Sequence, residues 1–293
     1  MSEEISAKDV MNLRSLTGAG MMDCKDALKA SSGNIDAAVD YLRKKGIAKA
    51  RSKAERAANE GKVVSFISED RKKGSLVEIN CETDFVAKTD DFQRFINDLA
   101  QQLAESESEN VIGQDSLAAF FMADGRTVKE RLGELVAKLG ENISPNRAVI
   151  YSANRGFLTS YIHMGGKLGV LLEVNVDNSP GEEVYNFAKD MAMQIAAAKP
   201  LTVDRSEVPQ EWVEKEKEIY RGQALNEGKP ENIVDRIAEG KLKKYFSEIC
   251  LLEQTFVKDT KTTVGEELQK LVAATSTPIT VRRFSRIHVG QND

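Results

Sequence analysis

Histidine is close to absent from this chain: two in 293 residues, at positions 163 and 288. The three cysteines, Cys24, Cys81 and Cys250, are odd in number and far apart, and Trp212 is the single tryptophan. So few histidines leave little material for a Ser/His/Asp triad or a His-ligated metal. The cysteines suggest neither a disulfide framework nor a zinc site, and they fit reduced thiols in the cytoplasm. No apolar run approaches the ~20 residues that cross a bilayer, and Met1-Ser-Glu-Glu opens no signal peptide. CxxC, HExxH and GxSxG are missing. Gly165-Gly-Lys-Leu-Gly has neither the spacing nor the Ser/Thr after Lys that a phosphate cradle needs, and it reads as a hairpin turn. With a net charge of −5 there is no general pull toward nucleic acid. No catalytic residue, cofactor or metal is expected, and the function should lie in the surfaces.

What the chain does have is a repeated segment. Residues 76–81, Leu-Val-Glu-Ile-Asn-Cys, form a short apolar, β-branched strand with Glu78 and Asn80 alternating out of it. From Asp90, acids followed by Phe92, Phe95, Ile96, Leu99 and Leu103 at helical spacing predict a helix. Gly61-Lys-Val-Val-Ser-Phe-Ile lies over Gly156-Phe-Leu-Thr-Ser-Tyr-Ile, and Gly74-Ser-Leu-Val-Glu-Ile-Asn over Gly169-Val-Leu-Leu-Glu-Val-Asn, both at a shift of 95. The helices that follow match at a shift of 92, so the first copy carries three extra residues between strand and helix. Those fall where Glu82-Thr83-Asp84-Phe85-Val86 puts an acid beside a bare aromatic in a surface loop; the second copy has Asn178-Ser-Pro-Gly, an ordinary turn. Phe85 is then either the lid of a core or a side chain presented to a partner. Because the unit is built once without it, the partner reading is the stronger.

Further on, Thr127-Val-Lys-Glu-Arg-Leu-Gly-Glu-Leu-Val-Ala repeats as Thr263-Val-Gly-Glu-Glu-Leu-Gln-Lys-Leu-Val-Ala, a shift of 136, and strands from Arg147 and Arg283 close each copy. The expected fold is α+β: a duplicated unit of antiparallel sheets with packed helices, residues 61–155 and then 156–201 with 247–293. An insertion at 202–246 interrupts the second copy. It reads as an antiparallel pair of charged helices around Asn226-Glu-Gly-Lys-Pro, the second from Ile233 to Leu252, with Trp212 packing across the pair. A polar link, Glu105-Ser-Glu-Ser-Glu-Asn, separates helices of the first copy.

Before the duplication lies a three-helix bundle, residues 1–46. Ser6 caps a first helix with Val10, Leu13 and Leu16 on one face, and Thr17-Gly-Ala-Gly breaks it. A second helix starts at Asp23, and a third runs from Ile35 and stops at Gly46. Met21 and Met22, polarizable side chains beside the glycine turn, suit either a small core or an adaptable binding surface. Residues 47–60 form a linker; Arg43 to Arg56 holds seven basic residues and one acid, a solvated helical stretch or, less simply, an RNA contact, though no aromatic interleaves with it.

Leu13-Arg-Ser-Leu-Thr-Gly-Ala-Gly-Met-Met-Asp-Cys-Lys, Glu82-Thr-Asp-Phe-Val-Ala-Lys, Gly140-Glu-Asn-Ile, Gly240-Lys-Leu-Lys-Lys-Tyr-Phe and Leu252-Glu-Gln-Thr-Phe-Val-Lys-Asp together resemble the signatures of bacterial elongation factor Ts, in that family's order. The bundle is likewise similar to ubiquitin-associated domains. The resemblance implies a guanine-nucleotide exchange factor for elongation factor Tu, not an enzyme, with no membrane and no direct nucleic-acid role. It implies that Arg14, Met21 and Met22 touch the partner's GTPase domain, that Thr83, Asp84, Phe85 and Val86 enter near the nucleotide's magnesium, and that His163 faces the partner's third domain. Thr255 departs from the proline common in the family, and the sequence ends soon after Gly290, without the C-terminal helical module some members carry. Two alternatives from other classes are a ubiquitin-associated-like adaptor with an RNA-binding basic linker, acting through residues 1–60 alone, and a small-molecule enzyme using the cleft between the copies.

Overall fold

The computed structural model describes residues 5–108, 110–177 and 179–291. Helices α1 (Ala7–Thr17), α2 (Met21–Ala30) and α3 (Ile35–Lys53) come first. Ser6 and Asp9 form a capping box at the start of α1, and Val10, Leu13, Cys24, Ala27, Leu28, Ala38 and Leu42 make the bundle's core. Leu16, expected on the inner face, is 65% exposed. The residue seven after Val10 is Thr17, which completes two turns on the buried side and donates its hydroxyl to the Leu13 carbonyl at 2.7 Å.

Helix α3 does not stop at Gly46. It continues to Lys53 because Gly46 is where α3 crosses α7 (Val128–Leu139): a Cβ there would lie 3.0 Å from the Gly133 carbonyl oxygen. Here glycine allows close helix approach rather than ending a helix. Five of the seven basic residues of this stretch are engaged within the protein. Arg43 pairs with Glu134, Lys45 and Lys49 with Asp23, and Arg56 with Glu82; Lys53 donates to the Gly140 carbonyl.

The first half then runs β1 (Glu60–Ile67), β2 (Lys73–Cys81), the single turn α4 (Asp84–Ala87), α5 (Asp90–Glu105), β3 (Asn110–Ile112), α6 (Gln114–Ala119), α7 and β4 (Ile143–Ser152). The second runs β5 (Phe157–Ile162), β6 (Leu168–Val176) and α8 (Glu182–Ala198), then α9 (Gln210–Asn226) and α10 (Glu231–Ile249), then β7 (Thr255–Phe256), β8 (Asp259–Thr263), α11 (Val264–Thr275) and β9 (Ile279–His288). All strand pairings are antiparallel, in the orders β1-β2-β4-β3, β5-β6-β9 and β7-β8. The fold is α+β, and β2 and β6, which hold Leu76 and Leu171, are the equivalent central strands of the two halves. Asn178 and Glu109, within the expected turn and polar link, lie outside the described residues.

The repeat extends to fine detail. β2 and β4 lose register between Glu78 and Ile79; β6 and β9 lose it between Glu173 and Val174, the same place in each copy. Both long closing helices begin with a Thr/Glu capping box, Thr127 with Glu130 and Thr263 with Glu266. One helical face of each half covers its own sheet, with Phe92, Phe95, Ile96, Leu99 and Leu103 of α5 on the first and Val184, Ala188, Met191 and Ile195 of α8 on the second. Between the two sheets lies a third core of Val63, Leu76, Val149, Tyr151, Leu158, Leu171 and Ile287. Contacts there are reciprocal. A Cβ on Gly169 would come 2.6 Å from Val63 and 2.9 Å from Ile162, and one on Gly74 would come 3.1 Å from Leu158 and 2.7 Å from Ile67. Ser65 bonds to Ser160, its own counterpart, at 2.9 Å.

Two polar expectations change. Glu78 does not alternate out to solvent; it is fully buried and its carboxylate meets Arg147 at 2.9 Å, as Glu173 meets Arg283 at 2.6 Å. A buried carboxylate with an aligned guanidinium avoids the large cost of an uncompensated charge. Trp212 does not pack fully across the helical pair but is about half exposed. The base of that pair is core: Val208, Phe246 and Cys250 are buried, and the Arg205 guanidinium lies 4.6 Å from the centre of the Phe246 ring.

Candidate functional site

Phe85 is 78% exposed, against zero for Phe92 seven residues later. Leaving such a ring in water forgoes roughly 1–2.5 kcal/mol of burial free energy, about three quarters of what a fully buried phenylalanine gains. The segment expected as a loop is one helical turn, α4, and its sequence shows why it holds. The Thr83 hydroxyl, at the N-cap, accepts from the Val86 N–H at 3.4 Å; the Phe85 and Val86 carbonyls accept from Lys88 N–H at the other end. Val86 and Ala87 point into the first half's core. Of the four residues singled out in sequence, Val86 is therefore the buried anchor and Phe85 the projecting side chain.

Two acids from opposite segments clasp the base of this turn. Glu141 accepts from the Thr83 backbone N–H at 3.0 Å and from its hydroxyl at 2.8 Å. In return Glu82 accepts from the Asn142 N–H at 2.6 Å. The Asn142 side chain donates to the Arg56 carbonyl at 2.8 Å, joining the segment after α3 to the same junction. Neither Glu82 nor Glu141 was recognisable as part of the site from sequence spacing, since they lie about sixty residues apart. The motifs Glu82-Thr-Asp-Phe-Val-Ala-Lys and Gly140-Glu-Asn-Ile contain them, but nothing in either says that the two acids meet.

Asp84 is paired with Lys88 at 2.6 Å, and that bond, with a smaller contribution from the nearby Lys167, holds its carboxyl below the usual carboxylate range. Lys167 also pairs with Glu60 and donates to the Gly61 carbonyl at 3.0 Å, at the start of β1. It belongs to the β5–β6 turn, as does His163, whose Nδ1 lies 2.9 Å from the Tyr161 hydroxyl. His163 is exposed and its neighbour Met164 is 87% exposed. The Phe85 turn and the His163 turn thus flank one end of β1. Arg14, Met21 and Met22 lie apart from them on the bundle, all exposed. Helix α2 starts at Met21 rather than at Asp23, so both methionines stand in its first turn and neither plugs the core. Met11 and Leu16 add two exposed apolar side chains on α1, the first not selected from the sequence and the second expected in the core.

The remaining chemistry is quiet. Burial pushes the Cys81 thiol up to about 11, and burial likewise raises Cys24 and Cys250. Among the described residues no group of three or more His, Cys, Asp or Glu side chains is placed to hold a metal. No described helix is long and apolar enough to cross a membrane.

Residues 82–291 match the family model for elongation factor TS. Over 287 residues the chain is 48% identical to the elongation factor Ts of Clostridium perfringens strain 13, covering 98% of this chain and 93% of that protein. It is 46% identical to the elongation factor Ts of Halothermothrix orenii, with the same coverage. Against that of Chlorobium phaeobacteroides it is 45% identical, covering 98% of this chain and 99% of the relative.

Proposed function

The chain belongs to the elongation factor Ts family, which makes it a translation elongation factor, and on that premise we propose that it acts by loosening GDP from elongation factor Tu. The observation that carries this reading is Phe85, a bare ring on a clasped turn that the second half of the molecule builds without. GDP is held by a GTPase through its phosphates, backbone amides, a lysine and a bridging Mg²⁺. Mg²⁺ tolerates little departure from octahedral geometry, so a small shift of its ligands weakens it. Phe85 inserts between partner helices and supplies that shift, and the Asp84 carboxylate perturbs a ligand or its hydrogen bonds. Thr83 and Val86 hold the turn that delivers them.

Arg14, Met21 and Met22 bind the partner's nucleotide-binding domain from the bundle, and His163 engages a second region from the core. The exposed first-turn methionines support the one and the exposed β5–β6 turn the other. In this scheme residues 1–46 serve as a docking module joined by residues 47–60. Residues 61–155 and 156–201 with 247–293 form the body, and 202–246 a helical arm. No bond is made or broken, no cofactor is used, and the site of action is the cytoplasm. By linkage, a protein that weakens GDP binding is itself weakened by GDP.

The test is release of a fluorescent GDP from purified elongation factor Tu. Adding this protein should accelerate release saturably, and excess GDP should dissociate the complex. Release that is unaffected at saturating protein would refute the proposal.

A further inference from the structure

We infer that Glu141 is a positioning residue for Phe85: its carboxylate sets the orientation of the turn from which the ring projects. The inference rests on the exchange reading only for its kinetic arm. Glu141 takes both donors of Thr83, the backbone N–H and the hydroxyl proton. A hydroxyl has one proton. With that proton committed to Glu141, the lone pairs of the Thr83 oxygen are turned toward the Val86 N–H, which caps the turn beside the backbone bond from the Ala87 N–H to the Thr83 carbonyl. Glu141 thus acts on the turn through Thr83.

The second half of the molecule supplies an internal control. Gly140, the left-handed C-cap of α7, corresponds at the shift of 136 to Ser276, which caps α11 in the same left-handed conformation, φ 82° and 50°. The correspondence therefore holds in backbone geometry at this point. The residues that follow differ: Glu141 is matched by Thr277 and Asn142 by Pro278, which has no N–H to give. At the shift of 95, Glu82 is matched by Asp177, which pairs with Arg155 instead. The half without a projecting phenylalanine is the half without the clasp. If the clasp served merely to close a helix onto its sheet, both halves would need it, since both make that closure.

The same junction receives the segment after α3, through the Asn142 bond to the Arg56 carbonyl and the Arg56–Glu82 pair at 3.5 Å. Arg56 and Asn142 therefore brace the clasp from the side of the bundle.

The experiment compares full-length wild type, Glu141→Gln and Glu141→Ala in two measurements. Amide hydrogen exchange of the free protein reads the turn directly, because a bonded N–H exchanges only when its local structure opens. We expect the Thr83 and Val86 amides to exchange about tenfold or more faster in Glu141→Ala, with amides of β2 and α5 unchanged and the melting temperature nearly so. Glu141→Gln, which keeps one acceptor oxygen, should fall between. Stimulated GDP release should drop about tenfold in Glu141→Ala, equivalent to ~1.4 kcal/mol of lost positioning. The double variant Phe85→Ala/Glu141→Ala should be no slower than Phe85→Ala, because Glu141 works through that ring. Unchanged Thr83 and Val86 amides, or losses that multiply in the double variant, would overturn the inference. If Phe85→Ala itself leaves release normal, the exchange reading fails, and amide exchange alone then decides for or against the clasp. Should Glu141→Ala not fold, Glu141→Gln carries both measurements.

Discussion

Replacing Phe85 by alanine separates the two uses a phenylalanine can have. In the free protein the ring is 78% exposed, so only about a fifth of it is covered. That fifth is worth roughly 0.3–0.7 kcal/mol, and alanine's better helix propensity returns up to ~0.5 kcal/mol within α4. The net change in stability is near zero, and the melting temperature should move by no more than about 2 °C. Phe92→Ala is the contrast: that ring is wholly buried, and its loss should cost ~3–5 kcal/mol and collapse the melt. In the complex the accounting reverses. Covering the remaining four fifths of Phe85 is worth ~1–2.5 kcal/mol, which as differential stabilisation of the GDP-loosened state corresponds to about a fivefold to seventyfold change in rate. Fluorescent-GDP release from elongation factor Tu, run beside thermal melts of each variant alone, measures both. Normal release by Phe85→Ala would remove the ring from the mechanism. A collapsed melt would instead return it to the core.

Asp84→Ala should slow release less than Phe85→Ala, and chelating magnesium should shrink its effect, because part of its work is then already done. Asp23 links α2 to α3 through Lys49 and Lys45, and the bond to Lys49 chiefly holds its carboxyl below the usual range. A lowered folded-state pKa gives stability that is present above the unfolded value and lost as pH falls through the folded one. Asp23→Asn should therefore flatten the acid limb of the bundle's stability below about pH 4, the ordinary aspartate range, as followed by urea unfolding at successively lower pH. In the helical arm, replacing residues 213–241 by a short Gly/Ser link should leave the melting temperature of the rest nearly unchanged. Removing 202–246 entirely should lower it, since Val203, Val208 and Phe246 are buried at the base; equal melts for the two deletions would show that the base is not core.

Local signals in the sequence were read well where local chemistry decides. The start of α5 at Asp90 follows from its acids and its five buried apolar positions, and the repeat at a shift of 136 placed α7 and α11 as equivalent helices. The exposure of Phe85 was legible because the second copy acts as a sequence without it. Readings failed where a distant partner overrules the local rule. Gly46 looks like a helix stop until Gly133 is placed against it, and Glu78 looks like a solvent residue until Arg147 is. The turn that carries Phe85 could be located but not its supports, since Glu141 and Thr83 are adjacent only after β2 and β4 pair. Met11 went unselected because one exposed apolar side chain on a helix carries little information by itself, and Leu16 was misplaced on the inner face, where Thr17 lies instead.

The reciprocal contacts between the sheets have a consequence of another kind. Val63 meets Gly169 as Leu158 meets Gly74, and Ser65 meets Ser160, its own counterpart. This is the isologous pattern of a twofold homodimer, in which every contact is made twice and a self-pairing residue sits on the axis. Two separate identical subunits could use that interface, but they would be bound by its symmetry. Each would carry a projecting phenylalanine with its clasp, the two facing away from one another, or neither would. Tying both halves into one chain makes their association intramolecular, independent of protein concentration, while releasing the halves from identity. One is then free to carry a helical arm and the other an exposed ring on a clasped turn, a one-sided molecule built from a two-sided plan.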